Sequence, residues 1–155
     1  MSATVHRNTL EEEARHILEE CRVVTPGIQT MIGFQMIVLF NSTFDQKLDA
    51  DMRLLHLGAM GVVLVAMFLL LTPAAYHRLA EPGEVSRKFV DSASRLLRWA
   101  MAFLRLGLAA EMHVVCRALG LPTLQAAAIA AFFFALAYVL WSVYPRVSAM
   151  RAKSG

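Results

Sequence analysis

Two stretches of the chain, Leu54 to Ala75 and Thr123 to Tyr144, carry no lysine, arginine or carboxylate. Each holds about 22 residues, and at about 1.5 Å per residue either one reaches across a hydrocarbon layer roughly 30 Å thick. They predict two membrane-spanning helices, because a soluble chain of 155 residues has no interior able to hide both. A further apolar stretch from about Trp99 to Leu119 is interrupted by Arg105, Glu111 and His113. An earlier one from about Pro26 to Phe44 is interrupted by Gln29, Thr30 and Gln35. The pattern therefore predicts four spans, at about 26–44, 54–75, 99–119 and 123–144, the second and fourth secure on apolar length alone.

Ahead of the first span, residues 9–24 alternate with the period of an amphipathic helix. Leu10, Ala14, Ile17, Leu18, Cys21 and Val24 share one face, the other face is charged, and Thr9 with Glu12 makes a capping box at its start. Pro26-Gly27 ends this helix or bends it into the next. Residues 41–53 form a short polar connection with three aspartates. Tyr76, His77 and Arg78 mark the exit of the second span, Glu81-Pro82-Gly83-Glu84 turns the chain, and Gly120-Leu121-Pro122 reverses it into the fourth span. The expected fold is all-α: an integral membrane four-helix bundle over residues 26–145. A cytoplasmic amphipathic arm over 1–25 precedes it and a basic tail over 146–155 follows.

Charge sets the orientation. Ten lysines and arginines fall in the amino-terminal arm, the second loop and the tail, against Lys47, Arg53 and Arg117 on the other side. Basic residues in short loops resist translocation, so both termini are expected in the cytoplasm and the protein in the inner (plasma) membrane as a multi-pass chain. Trp141, Tyr138 and Tyr144 suit a cytoplasmic aromatic anchor. A composition of 57% hydrophobic and 17% charged residues, with a positive mean hydropathy, agrees with a membrane class. The first 25 residues hold no apolar stretch behind a basic start, so no cleavable signal is expected and the first span directs insertion. Cys21 and Cys116 fall on opposite sides of the bilayer in this topology, too far apart to bridge within one chain. They read as reduced thiols in small apolar positions.

Two short strings, Thr25-Pro26-Gly27-Ile28-Gln29 and Thr72-Pro73-Ala74-Ala75-Tyr76-His77-Arg78, occur together in this arrangement of spans. With them the chain resembles an uncharacterised family of short bacterial four-span membrane proteins, and the resemblance extends over nearly its whole length. That resemblance implies the span count and implies no catalytic residue and no activity.

The sharpest chemistry lies inside the third span. Translocon scales charge about 2.5–3.5 kcal/mol for an arginine or acidic residue at mid-span, which roughly cancels the apolar gain of its neighbours. Such a helix inserts against partners, so Gln35, Arg105, Glu111 and His113 are the intramembrane polar candidates, with Arg105 expected to hydrogen-bond Gln35, Glu111 or a neighbouring subunit. Their alternatives are a packing clamp, a pathway for protons, ions or a small solute, and a bound anionic lipid or cofactor. Arg98 and Arg105, seven residues apart on one face, would suit a lipid headgroup.

His56 and His113 both fall toward the outer leaflet and could ligate haem or a metal from facing helices, against the plainer reading of interface histidines. Glu13 and His16 have the Glu-x-x-His spacing of a di-iron bundle but lack the second copy. No HExxH, GxSxG or phosphate loop is present, so no enzyme, no metal site, no cofactor and no nucleic-acid partner is expected. Gly58 and Gly61 in the second span, and Ala127, Ala131 and Ala135 in the fourth, make small-residue faces for packing within the bundle or for self-association. The functional expectation is a non-enzymatic oligomeric bundle with a polar interior serving as channel, transporter or lipid-binding protein, in contact with membrane lipids. The alternatives are an accessory or scaffold subunit docking through the acidic helix, and a haem- or metal-binding redox protein.

Overall fold

The computed structural model describes residues 2–41, 46–81 and 85–154, and among these residues it is all-helical. Helix α1 spans Ser2–Leu39, α2 Ala50–Ala80, α3 Arg87–Ala118 and α4 Thr123–Tyr138. A π-helical turn at Val139–Val143 then joins α4 to α5, Tyr144–Ser154. Among the described residues, three helical stretches are long and apolar enough to cross a membrane: Ala50–Ala80, Arg87–Ala118 and Thr123–Ala152. In α1 the charges continue to Arg22, and Gln29, Thr30 and Gln35 dilute the apolar stretch that follows. Only about 17 residues remain from Val23 to Leu39, roughly 25 Å of helix. The expected end of the first span, at 42–44, lies outside the described residues.

Two local expectations change. Thr9 is not an N-cap: no glycine or proline interrupts residues 2–8, so α1 begins at Ser2 and Thr9 lies inside it. Pro26 does not end the helix, and arm and apolar segment are one continuous rod. Proline removes one backbone donor. The preceding Thr25 turns its hydroxyl onto the Cys21 carbonyl at 2.7 Å, and Thr30 does the same to Pro26 at 2.9 Å. Helix α2 repeats the device at Thr72-Pro73, where Thr72 Oγ1 donates to the Phe68 carbonyl at 2.7 Å. Side-chain hydroxyls and neighbouring helices are what make proline tolerable inside a membrane helix.

The chain divides into two compact units, Met1–Phe34 with Leu64–Ala102, and Gln35–Val63 with Phe103–Gly155. In the first, the amphipathic face predicted for α1 is buried. Leu10 and Ala14 pack with Phe89, Val90 and Ala93 of α3, and Ile17, Leu18 and Val85 flank them. Glu13 Oε2 accepts from Arg87 Nη1 at 2.8 Å on the exposed rim of this contact, where such a pair contributes at most about 1 kcal/mol. Phe89, 2% exposed, also stacks against Tyr76 at 5.9 Å between ring centroids and meets His77 at 5.4 Å. Pro73 and Ile28 are fully buried in the same unit. The two sequence strings that carry the resemblance therefore supply core residues there.

Ser86 caps α3 by accepting from the Phe89 amide at 3.1 Å, while its own amide and hydroxyl donate to the Glu81 carboxylate at 3.0 and 2.7 Å. The Ser86 hydrogen bonds, reinforced by His77 and Lys88, hold the Glu81 carboxyl below its usual range. A depressed carboxyl contributes stability at higher pH that is lost as pH falls through its folded-state value. Ser86→Ala is expected to lower stability by about 1 kcal/mol. Glu81→Gln is expected to flatten the acid limb of the stability profile, and thermal melting from pH 7 downward checks both.

In the second unit α3 ends in a Schellman turn. The Gly120 amide bonds the Arg117 carbonyl at 2.9 Å and the Leu121 amide bonds the Cys116 carbonyl at 3.1 Å. Gly120 holds φ +85°, which a residue with a Cβ adopts only under strain. The reversal expected at Gly120-Leu121-Pro122 is this turn, and α4 leaves Pro122 antiparallel to α3.

The π-helical turn was not anticipated. Pro145 supplies no amide, and its ring conflicts with the carbonyl four residues earlier, so the backbone widens by one residue and the Tyr144 amide bonds Val139 instead. Only 11% of the Thr123–Ala152 window is buried, against 33% for α2 and 39% for α3. The last helical stretch thus presents most of its apolar surface outward, as a lipid-facing helix does.

Candidate polar site on the buried stripe of the helices

The buried positions of α2 run His56, Ala59, Met60, Val63, Ala66, Leu70 and Pro73, a three-and-four spacing that makes one stripe. On α3 the stripe runs Phe89, Ala93, Ala100, Leu104, Gly107, Glu111 and Val114. Each stripe carries one ionisable residue, His56 on α2 and Glu111 on α3. On α1, Gln35 falls seven residues after the buried Ile28 and so continues its inner face.

These three residues meet. Gln35 Nε2 donates to Glu111 Oε1 at 2.6 Å, and His56 Nδ1 lies 3.0 Å from Glu111 Oε2. His56 Nε2 lies 3.2 Å from the Gln35 backbone carbonyl. His56 and Gln35 are 2% and 5% exposed, and the Glu111 side chain keeps 16% of its surface. Each Glu111 oxygen thus has its own partner, as a carboxylate out of water requires. The Gln35 carbonyl oxygen Oε1 is buried with no hydrogen-bond partner.

Close approach of α2 and α3 beside the network is set by Gly107. A Cβ there would lie 2.5 Å from Val63 Cγ2 and 3.4 Å from the Ala59 carbonyl oxygen. Sequence reading assigned close approach to Gly58 and Gly61, which have nothing within 4 Å of a Cβ. Those two glycines stand off the buried stripe, so their lack of side chain brings no backbone nearer. Similarly, Ala126 and Ala130 are the buried alanines of α4, while Ala127, Ala131 and Ala135 face outward.

Arg105 does not bond Gln35 or Glu111. Its Nη1 donates to Ser142 Oγ, and its guanidinium carbon sits 5.3 Å over the Tyr138 ring, a cation–π distance. Arg105 precedes Glu111 by six residues, which turns it away from the stripe and toward α4. There it edges an apolar crevice of about 260 Å³ with Leu108, Met112, Phe133, Leu136 and Trp141. Arg98, expected to share a lipid headgroup with Arg105, is exposed and lines a separate polar surface crevice with Lys88, Asp91, Ser92, Ser94 and Arg95. His113, two residues from Glu111, is half-buried and lies off the stripe.

Among the described residues no group of three or more His, Cys, Asp or Glu is arranged to hold a metal ion. Both His56 ring nitrogens lie within hydrogen-bond distance of protein oxygens, Glu111 Oε2 and the Gln35 carbonyl. Cys21 and Cys116 are both buried free thiols. Sequence reasoning singles out Gln35 and Glu111 as intramembrane polar residues and reads His56 as an interface histidine or a ligand, without pairing it with Glu111. The available signal was that His56 is the one ionisable residue on the inner stripe of α2.

Helices long and apolar enough to cross a membrane, one of them carrying a hydrogen-bonded carboxylate on its inner stripe, define a helical, membrane-compatible protein. The chain belongs to the family of unknown function DUF6328, whose pattern matches residues 4–145. This agrees with the uncharacterised family expected from the sequence. No curated protein and no solved structure matches the chain.

Proposed function

We propose that the protein is a small non-enzymatic multi-pass membrane protein of the inner (plasma) membrane, with both termini cytoplasmic. Its interior network of Gln35, His56 and Glu111 serves passage or binding of a small polar species. One observation carries this reading: the buried His56 pairs with the largely buried Glu111 on helices long enough to cross a bilayer. Ionisable groups inside spanning helices are expensive to maintain and are functional by default.

The apolar end of α1 is the fourth crossing in this reading. It is short, but Gln35 hydrogen-bonds Glu111, about two turns before the end of α3, which supports the same membrane depth for both. Copies would associate through the outer face of α4, where Ala127, Ala131 and Ala135 are exposed. An accessory subunit docking through α1 is less well supported, since the apolar half of that surface is already covered by Phe89, Val90 and Ala93.

Purified protein in proteoliposomes should pass protons or small ions faster than empty liposomes do, with Arg105→Leu affecting flux less than changes at Glu111. Wild-type flux indistinguishable from that of empty liposomes contradicts the transport reading.

A further inference from the structure

His56 stands between two acceptors. Glu111 Oε2 is 3.0 Å from its Nδ1 and the Gln35 backbone oxygen is 3.2 Å from its Nε2. A neutral imidazole has one N–H and one lone pair, and an ionised carboxylate and a backbone carbonyl only accept. With neutral His56 and ionised Glu111, one of these two contacts is therefore a lone pair facing an oxygen. Both become hydrogen bonds only when the pair carries two protons between them.

Two arrangements satisfy that count. In one, imidazolium donates through both nitrogens to ionised Glu111 and to the Gln35 carbonyl. In the other, the Nδ1–H bond breaks and an Oε2–H bond forms, leaving neutral imidazole with its proton on Nε2 and a carboxylic acid donating to Nδ1. The proton must sit on Oε2, because Oε1 accepts from Gln35 Nε2 at 2.6 Å. Net charge on the pair is zero in both, which suits an apolar surrounding.

The other charged groups of the second unit's helices have separate partners or positions, and Asp51, Arg53, Arg146 and Arg151 are exposed. Arg105 is held by Ser142 and Tyr138, Arg117 Nη1 donates to the Leu121 carbonyl at 2.8 Å, Arg53 lies one turn before His56 on α2, and His113 is off the stripe. Next to the pair, Gln35 is 5% exposed and its Oε1 is an unpartnered buried acceptor, a position that a water or another proton donor would satisfy.

We propose that His56 and Glu111 form a proton-binding site, one proton shared along the Oε2–Nδ1 line, and that the unpartnered Gln35 Oε1 of the same network accepts from a water. The polar species of the proposed function is then the proton. This rests on reading the network as the functional site, and the test separates the two.

Full-length protein labelled with ¹⁵N-histidine and ¹³C-glutamate, in phosphatidylethanolamine–phosphatidylglycerol vesicles at neutral pH, is measured by solid-state NMR, His56→Gln assigning the ring signals and Glu111→Gln the carboxyl signal. The expected result is both His56 nitrogens protonated, or one protonated together with a protonated Glu111 carboxyl. Glu111→Gln, whose amide can still donate to Nδ1, should leave the ring protonated only at Nε2 in a folded protein. A singly protonated His56 beside an ionised Glu111 overturns the proposal whatever the flux. The two-proton signature without proton flux keeps the site and overturns the transport reading instead.

Discussion

Glu111→Ala should be among the most destabilising single substitutions in the chain, lowering stability by about 3 kcal/mol, because one truncation strands two buried groups. Gln35 Nε2 and His56 Nδ1 both lose their partner. A buried donor left unsatisfied costs about 1–3 kcal/mol, and removing one member of a buried ionic pair is worse than replacing both. Average interhelical hydrogen bonds in membranes contribute only about 0.6 kcal/mol, since the separated helices find other partners. At 2% and 5% exposure, His56 and Gln35 are closed to bulk water while the fold persists. Glu111→Gln keeps the shape, accepts from Gln35 and donates to His56, so its loss should stay within about 1 kcal/mol. Unfolding in mild detergent measures the contrast, and equal effects of the two variants would contradict the hydrogen-bond account.

The second large effect is expected at Gly107. Leucine there must enter the space of Val63 and the Ala59 carbonyl, which a Cβ alone would meet at 2.5 and 3.4 Å. Val63 is 0% exposed and β-branched, so its side chain has no alternative rotamer space. Overpacking of a filled contact costs about 1–3 kcal/mol and occasionally more. Gly107→Leu is expected at the upper end, and Gly107→Ala lower because alanine regains about 1 kcal/mol of helix propensity. Val63→Ala should rescue much of the Gly107→Ala loss. Gly58→Ala and Gly61→Ala, which meet nothing, should be neutral or stabilising by up to about 1 kcal/mol. A Gly107→Leu protein as stable as wild type would remove the close approach from the account.

Apolar length made α2 and α4 legible in the sequence, since charge-free runs of about 22 residues leave few other readings. Helix α1 was harder: Thr25-Pro26 reads as a break, and only the threonine hydroxyls that occupy carbonyls beside it show why the helix continues. The polar residues Gln35 and Glu111 stood out by their depth, yet which of them pair depended on rotation about each helix. Glu111 lies on the α3 stripe with Gly107 and Val114, whereas Arg105 turns to Ser142 and Tyr138. Helix α2 is apolar on nearly all sides, so the face that holds His56 is set by its neighbours and not by its own pattern. The π-helical turn that carries Ser142 follows from Pro145, whose effect on register is visible only once the helix is seen to continue past it.

The most direct test compares proton flux and thermal stability of wild type and Glu111→Gln in the same proteoliposomes. With the fold kept by an isosteric side chain and the shared proton gone, the variant should melt near the wild-type temperature and lose proton flux to the level of empty liposomes. Unchanged flux in a stable Glu111→Gln protein would contradict the account and reduce the network to a clamp between helices.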